Sequence, residues 1–320
     1  MESNSARASL LSGAPWYIWL MLALHFVLAA LYSVVIPAWE AVDEPGHYQY
    51  VEYVALNKRL PPAGETLVPR VGGSEGTQPP LYYILAALPV ALVNPPAQDD
   101  FRLNRYATAG SAEYGVNMVV HDFAAEAFPW RGQLLALHLA RFVSVVLGTI
   151  GVWYVYRLAH WLLPDQPAIF ATATAIAAFA PQFLFLGSTI TNDLLIAVLG
   201  CAVLYYASRL ALDAPRAGDL IGLGVSLGLA FLTKNTAVGL LPSAGVALGV
   251  AGWRAWRQGQ RRRVLAGGIA WLALVGLLAG WWIGRNLRAY GAPLSRDLDT
   301  IELFLAGLGD PAAFLAGIPW

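Results

Sequence analysis

Residues 16–47 read WYIWLMLALHFVLAALYSVVIPAWEAVDEPGH. From Trp16 to Pro37 the run contains no Asp, Glu, Lys or Arg, and at 22 residues it exceeds the roughly 20 that an α-helix needs to cross a bilayer. Directly beyond it stand two adjacent carboxylates, Asp43 and Glu44, with an imidazole at His47. Ionisable groups beside hydrocarbon are costly and are usually functional or paired.

The rest of the chain agrees with that first helix. Of 320 residues, 58% are hydrophobic and 12% charged, against about 25% charged in soluble domains. The mean hydropathy is +0.55. This composition belongs to an integral membrane protein. Lys plus Arg equals Asp plus Glu at 20 each, which argues against nucleic acid as a partner and against a basic, peripheral mode of membrane binding. The single cysteine, Cys201, rules out an intrachain disulfide. The apolar run after Arg7 is too long for a signal-peptide core, so a retained anchor is expected.

Further apolar stretches lie at 134–162, 167–187, 193–211, 218–233, 236–252 and 264–284. The expected fold is therefore all-α and polytopic, with about seven transmembrane helices. Positive residues in short loops set orientation. Arg7, Arg209, Arg216 and the group Arg254, Arg257, Arg261, Arg262 and Arg263 fall on one side of such a bundle, which is then the cytoplasm of a cell bounded by this plasma membrane. The expected organisation is a cytoplasmic N-terminus at 1–15, a first span at 16–37, and a long extracytoplasmic loop at 38–133. A six-helix bundle at 134–284 and an extracytoplasmic segment at 285–320 follow. Within the loop, Glu44–Asn57 reads as a helix that Asp43 can cap, with Pro45 in its first turn. Its stripe of His47, Tyr50, Val51 and Val54 is expected on the membrane surface. Leu81–Val93 is short for a span and reads as interfacial or re-entrant.

Several residues on the outer side carry candidate chemistry, each with a plainer alternative. Asp43 and Glu44 suit a general base that takes the proton of an attacking hydroxyl, or a helix cap with a solvated neighbour. His47 could join Asp43 on a metal, but an interfacial histidine without ligands is the favoured reading. Asp193, in a short turn after Asn192, brings a second carboxylate to the same face, or caps the next helix. Lys234 and Arg285 suit an anion such as a phosphate, or snorkel from helix ends beside Trp281 and Trp282. Arg141, inside the second span, either contributes to the site or pairs with a loop carboxylate and holds the outer segment. Together these residues fit transfer from a lipid phosphate.

At these positions the chain resembles the GT-C glycosyltransferases, polytopic enzymes that use polyprenyl-phosphate sugars and include protein O-mannosyltransferases and the aminoarabinose transferase acting on lipid A. The resemblance runs in order through DEPGH (43–47), QPPLYY (78–83), ARFVSVVLG (140–148), APQFLFLGSTITND (180–193), GLAFLTKNTA (228–237) and GWWIGRNLRAYGAPL (280–294). It implies Asp43 as catalytic base and Glu44 as its acidic companion, with Asp193 a second acid lining the cavity. It also implies Lys234 and Arg285, with its neighbour Asn286, near the carrier phosphate. The implied reaction is displacement with inversion at the anomeric carbon, with a polyprenyl-phosphate sugar as donor and a hydroxyl of a glycan, lipid or protein as acceptor. No cofactor and no metal is expected. A protein that binds or flips polyprenyl-linked lipids without catalysis is the alternative, and an ion-coupled transporter fits less well because the carboxylates lie in outer loops. Such enzymes generally carry further spans, so the sequence is expected to be a fragment or a shortened relative.

Overall fold

The computed structural model describes residues 13–62, 75–98, 101–104, 106–107, 117–214 and 216–294. The expected N-terminal segment lies largely outside these residues, as does the C-terminal segment beyond 294. The elements described are helices, joined by turns and one isolated bridge between Leu103 and Val119. In order they are α1 (Trp16–Val35), α2 (Glu44–Asn57), α3 (Leu81–Val93), α4 (Phe123–Glu126), α5 (Gly132–Leu162) and α6 (Pro167–Phe179). After them come α7 (Pro181–Leu186), α8 (Asn192–Leu212), α9 (Ala217–Phe231), α10 (Leu241–Arg257) and α11 (Arg261–Tyr290). Short 3-10 segments precede α3, at Glu75–Thr77, and α10, at Asn235–Leu240.

The chain is an all-α, multi-pass membrane protein. Five helices are long and apolar enough to cross a bilayer: α1, α5, α8, α10 with its leading turn, and α11. Shorter apolar helices, α3, α6 and α9, fill the spaces between them. The stretch expected as one helix over 167–187 is broken at Ala180-Pro181, because Pro181 has no N–H to continue the ladder and restricts the residue before it. Near the break, His25 Nδ1 from α1 lies 2.8 Å from the carbonyl of Ala178.

Close helix approach depends on glycine. A Cβ at Gly151 of α5 would stand 2.9 Å from Val198 of α8, and one at Gly228 of α9 would stand 2.8 Å from Leu278 of α11. Gly224, one turn earlier, meets Leu274 in the same way, so α9 presents a small-xxx-small face to α11.

The largest core lies where α2 and α3 pack against α5 and α8, and it contains Tyr48, Tyr50, Tyr82, Tyr83, Leu137 and Ile190. This corrects one expectation. The stripe of α2 does not lie on a membrane surface, since His47, Tyr50 and Val51 are all buried in the protein. Tyr83 on α3 gives α2 a polar and an apolar partner at once, its hydroxyl meeting His47 and its ring stacking on Tyr50.

At the opposite end, Arg209 near the end of α8 donates from Nε to Asp219 Oδ1 of α9 at 2.6 Å. This closes the α8–α9 turn.

Candidate active site

Beyond the end of α1 the chain turns at Trp39 and again at Asp43, both at positive φ (68° and 58°). Asp43 occupies the N-cap position of α2, yet its side chain makes no capping hydrogen bond and is exposed. Its left-handed backbone turns the chain into α2, while its carbonyl accepts from the His47 N–H at 3.0 Å. The carboxylate is thus left unengaged by the helix it begins.

Glu44, one residue later, has the opposite environment. It is fully buried, and Arg141 of α5 grips it with Nε to Oε1 at 2.8 Å and Nη2 to Oε2 at 2.6 Å. The same guanidinium donates to the carbonyls of Ser33, Ile36 and Pro37. Glu44 Oε1 also accepts from the Ile190 N–H at 3.1 Å. Both oxygens are therefore engaged, and Glu44 is held as a structural anion. Arg141 pairs with a loop carboxylate, one of the two roles that the sequence left open.

The other motifs converge on the same end of the bundle. Asn192 Nδ2 donates to Gln78 Oε1 at 3.3 Å and to the Thr233 carbonyl at 3.1 Å. The Leu81 N–H donates to the Leu232 carbonyl at 2.8 Å. Tyr82 Oη accepts from the Thr191 N–H at 3.1 Å and shares a 2.8 Å hydrogen bond with Ser144 Oγ. Residues from four separated stretches of sequence are thereby tied into one net.

The titratable groups sit above this net. Lys234 donates to Asp193 Oδ1, with the carboxylate about half exposed. The helix cap expected of Asp193 is supplied by Thr191, whose Oγ1 accepts from the Asp193 N–H. His47 Nδ1 lies 2.9 Å from Tyr83 Oη and 3.7 Å from Glu75 Oε2. Burial brings the His47 pKa down to about 4, with the Lys234 charge acting in the same direction and Asp193 opposing, so at neutral pH the ring is uncharged.

Sequence reading passed over Glu75, which stands in a stretch of Pro and Gly taken as plain loop. Burial raises its pKa to about 7, and the Asp43 charge adds to this; Lys234 and a hydrogen bond from Tyr83 pull it back, while Asp193 adds again. Asp43, Glu75, His47, Tyr83, Asp193 and Lys234 therefore share one electrostatic environment. The only sequence clue to Glu75 is its place three residues before Gln78-Pro79-Pro80, the entry to α3.

Arg285 and Asn286 lie in the last turns of α11. The Arg285 guanidinium stacks over Trp282 at 4.5 Å and donates from Nη2 to the Pro61 carbonyl at 2.9 Å. Its Nη1 is buried without a hydrogen-bond partner among the described residues, and its charge acts on the hydroxyl of Tyr50, which stacks on Tyr83 at 3.9 Å. Asn286 is buried and donates to the Pro293 carbonyl at 3.2 Å. Among the described residues no group of three or more His, Cys, Asp or Glu side chains is arranged to hold a metal ion.

Residues 136–282 match the family model of the dolichyl-phosphate-mannose-protein mannosyltransferases. The match runs from the first turns of α5 into α11 and bears out the resemblance drawn from the motifs. It supports the reading of a membrane glycosyltransferase that depends on a polyprenyl-phosphate sugar. Asp43, Glu44 and Glu75 lie before the matched residues. Searches of curated proteins and of solved structures returned no match.

Proposed function

We propose that the chain transfers a sugar from a polyprenyl phosphate to an acceptor hydroxyl on the extracytoplasmic side of the plasma membrane, with inversion and with Asp43 as general base. The observation that carries this reading is the contrast between two neighbouring carboxylates. Glu44 is consumed by Arg141, whereas Asp43 is exposed and makes no cap, so it is the one able to accept a proton.

In the reaction, the acceptor oxygen attacks the anomeric carbon from the face opposite the phosphate. Its proton passes to Asp43 as the bond from carbon to the phosphate oxygen breaks, and the electron pair leaves with the lipid phosphate. Lys234 and Arg285 offset the charge that develops there. Arg285 is the better placed of the two, because its Nη1 has no partner among the described residues, whereas Lys234 is already balanced by Asp193. Glu44 and Arg141 act by fixing the loop from which Asp43 projects.

Replacing Asp43 by Asn tests this directly. Loss of a general base costs about 10²- to 10⁴-fold in turnover, so Asp43→Asn should lose transfer by that factor in membranes supplied with radiolabelled lipid-linked sugars while still binding the donor. A protein that binds or flips polyprenyl lipids would lose little in the same variant, and that result would overturn the transferase reading.

A further inference from the structure

We propose that Glu75 is a hydrogen-bond donor to the phosphate of the lipid substrate, its carboxyl donating from Oε2 without bringing a charge of its own. The proposal rests on the transferase reading and adds to it a residue that the reading does not require.

Three observations lead to it. The first is geometric: Glu75 Oε2 is sealed from solvent and has no hydrogen-bond partner among the described residues, with His47 Nδ1 3.7 Å away. Leaving a buried polar atom unpaired costs about 1–3 kcal/mol, a cost that a bound ligand can relieve. The second is the charge around it. Asp43 from the turn before α2, Asp193 from α8 and Lys234 from the turn after α9 all act on Glu75, while His47 on α2 is uncharged and Tyr83 on α3 hydrogen-bonds it. Two carboxylates against one lysine disfavour a third negative charge, and burial acts in the same direction. A neutral carboxylic acid is a donor as well as an acceptor.

The third is how the other donors are placed. Lys234 is committed to Asp193, the His47 ring is occupied with Tyr83 on one side, and Arg285 stands at the Tyr50 edge of the cluster. A phosphodiester that approaches Asp43 and Asp193 meets like charge. A protonated Glu75 adds attraction without adding charge, whereas an ionised Glu75 would repel the substrate. Its neighbours therefore make this side chain selective for an anion so long as it keeps its proton.

The test uses the full chain in lipid nanodiscs and a polyprenyl methyl phosphate, a diester whose single charge does not titrate in the working range and which carries no sugar. Affinity is measured from about pH 6 to about pH 8.5, bracketing the Glu75 value. The wild-type protein should bind about tenfold more weakly for each pH unit above 7, since one proton must be taken up with the ligand. Glu75→Gln, a permanent donor of the same shape, should bind with an affinity that does not change across that range.

A wild-type affinity that is flat with pH overturns the proposal without recourse to any variant, and so does a Glu75→Gln protein that keeps the alkaline loss. A contact from Glu75 to the sugar, in place of the phosphate, appears as this flat wild-type profile. Transfer is assayed in parallel. A chain that transfers sugar but lacks the alkaline loss sinks the role of Glu75 alone. One that shows the loss yet never transfers sinks the transferase reading and leaves Glu75 in place. Absence of any binding sinks both.

Discussion

At the scale of single residues, two adjacent carboxylates differ because of what α5 places beside them. Glu44 meets Arg141 with two charge-assisted hydrogen bonds in a fully buried setting, and breaking such a pair by removing one partner costs about 3–5 kcal/mol. Glu44→Gln should therefore lower the thermal unfolding temperature markedly and reduce activity through loss of folded protein, while Asp43→Asn should leave that temperature nearly unchanged. A heat-unfolding curve of each variant in detergent checks the contrast. The division was half legible in the sequence. The pair Asp43-Glu44 marked the site, and Arg141 reads either as a site residue or as the partner of a loop carboxylate, but only the fold could say which role and which carboxylate, because that depends on the left-handed turn at Asp43.

Glu75 and His47 also make stability depend on pH, in opposite directions. The folded Glu75 keeps its proton up to about pH 7, against an ordinary value of 4.5. Folding thus binds a proton between these values, and the contribution of Glu75 is lost as pH rises through the window. The folded His47 gives up its proton until about pH 4, against 6.5, so its contribution is present above 6.5 and lost as pH falls through 4. The two oppose each other over the shared interval. Glu75→Gln removes only the first, so the variant's unfolding temperature relative to wild type should climb from pH 4.5 to 7 and level off above it. A set of melting curves across that range is the measurement; a constant difference would contradict the assigned environment.

At the scale of elements, the long apolar runs were readable from hydropathy and length, whereas breaks and ends were not. The stretch over 167–187 reads as one span, yet Pro181 divides it into α6 and α7. The helix expected over 264–284 extends to Arg261–Tyr290, which puts Arg285 and Asn286 on a rigid helix instead of in a loop. Periodicity also could not say that α2 has a protein neighbour, since a stripe of His47, Tyr50 and Val51 looks the same against lipid or against α3. The contact between α9 and α11 has a sharper consequence. A methyl group at position 228 would stand 2.8 Å from Leu278 Cδ1 and 2.9 Å from its Cβ, so the Leu278 side chain cannot avoid it by rotating its end alone. Gly228→Ala should destabilise the protein by about 1–3 kcal/mol, the usual cost of overpacking. Adding Leu278→Ala should restore part of that loss, and a double-mutant cycle on thermal unfolding measures the coupling.

For the whole molecule, polarity runs from one end to the other. The candidate active site gathers where α1, α9 and α11 end and where α5 and α8 begin, while Arg254, Arg257, Arg261, Arg262 and Arg263 flank the turn between α10 and α11 at the far end. On the proposed orientation, a cysteine introduced at Gln258 in a Cys201→Ser background should react with an impermeant maleimide only after the cells are opened. One at Val42, which is exposed, should react in intact cells. The reverse pattern would place the site in the cytoplasm. The arginines gave this polarity away in the sequence, because they cluster in short connections. The site itself was less legible: its members come from residues 43 to 285, and only the net through Gln78, Asn192 and Thr233 shows that they are neighbours.

The arginine at position 141 carries an implication for biogenesis. Three carbonyls at the exit of the first helix, and the carboxylate that follows, emerge from the ribosome some 97 to 108 residues ahead of the guanidinium that satisfies them. Until α5 has been inserted, that stretch of nascent chain must remain hydrated, so this end of the bundle cannot assemble before the second long apolar helix has been made. On the proposed orientation, chains halted ahead of this point should remain open to proteases on the outer face, and those released just past it should not.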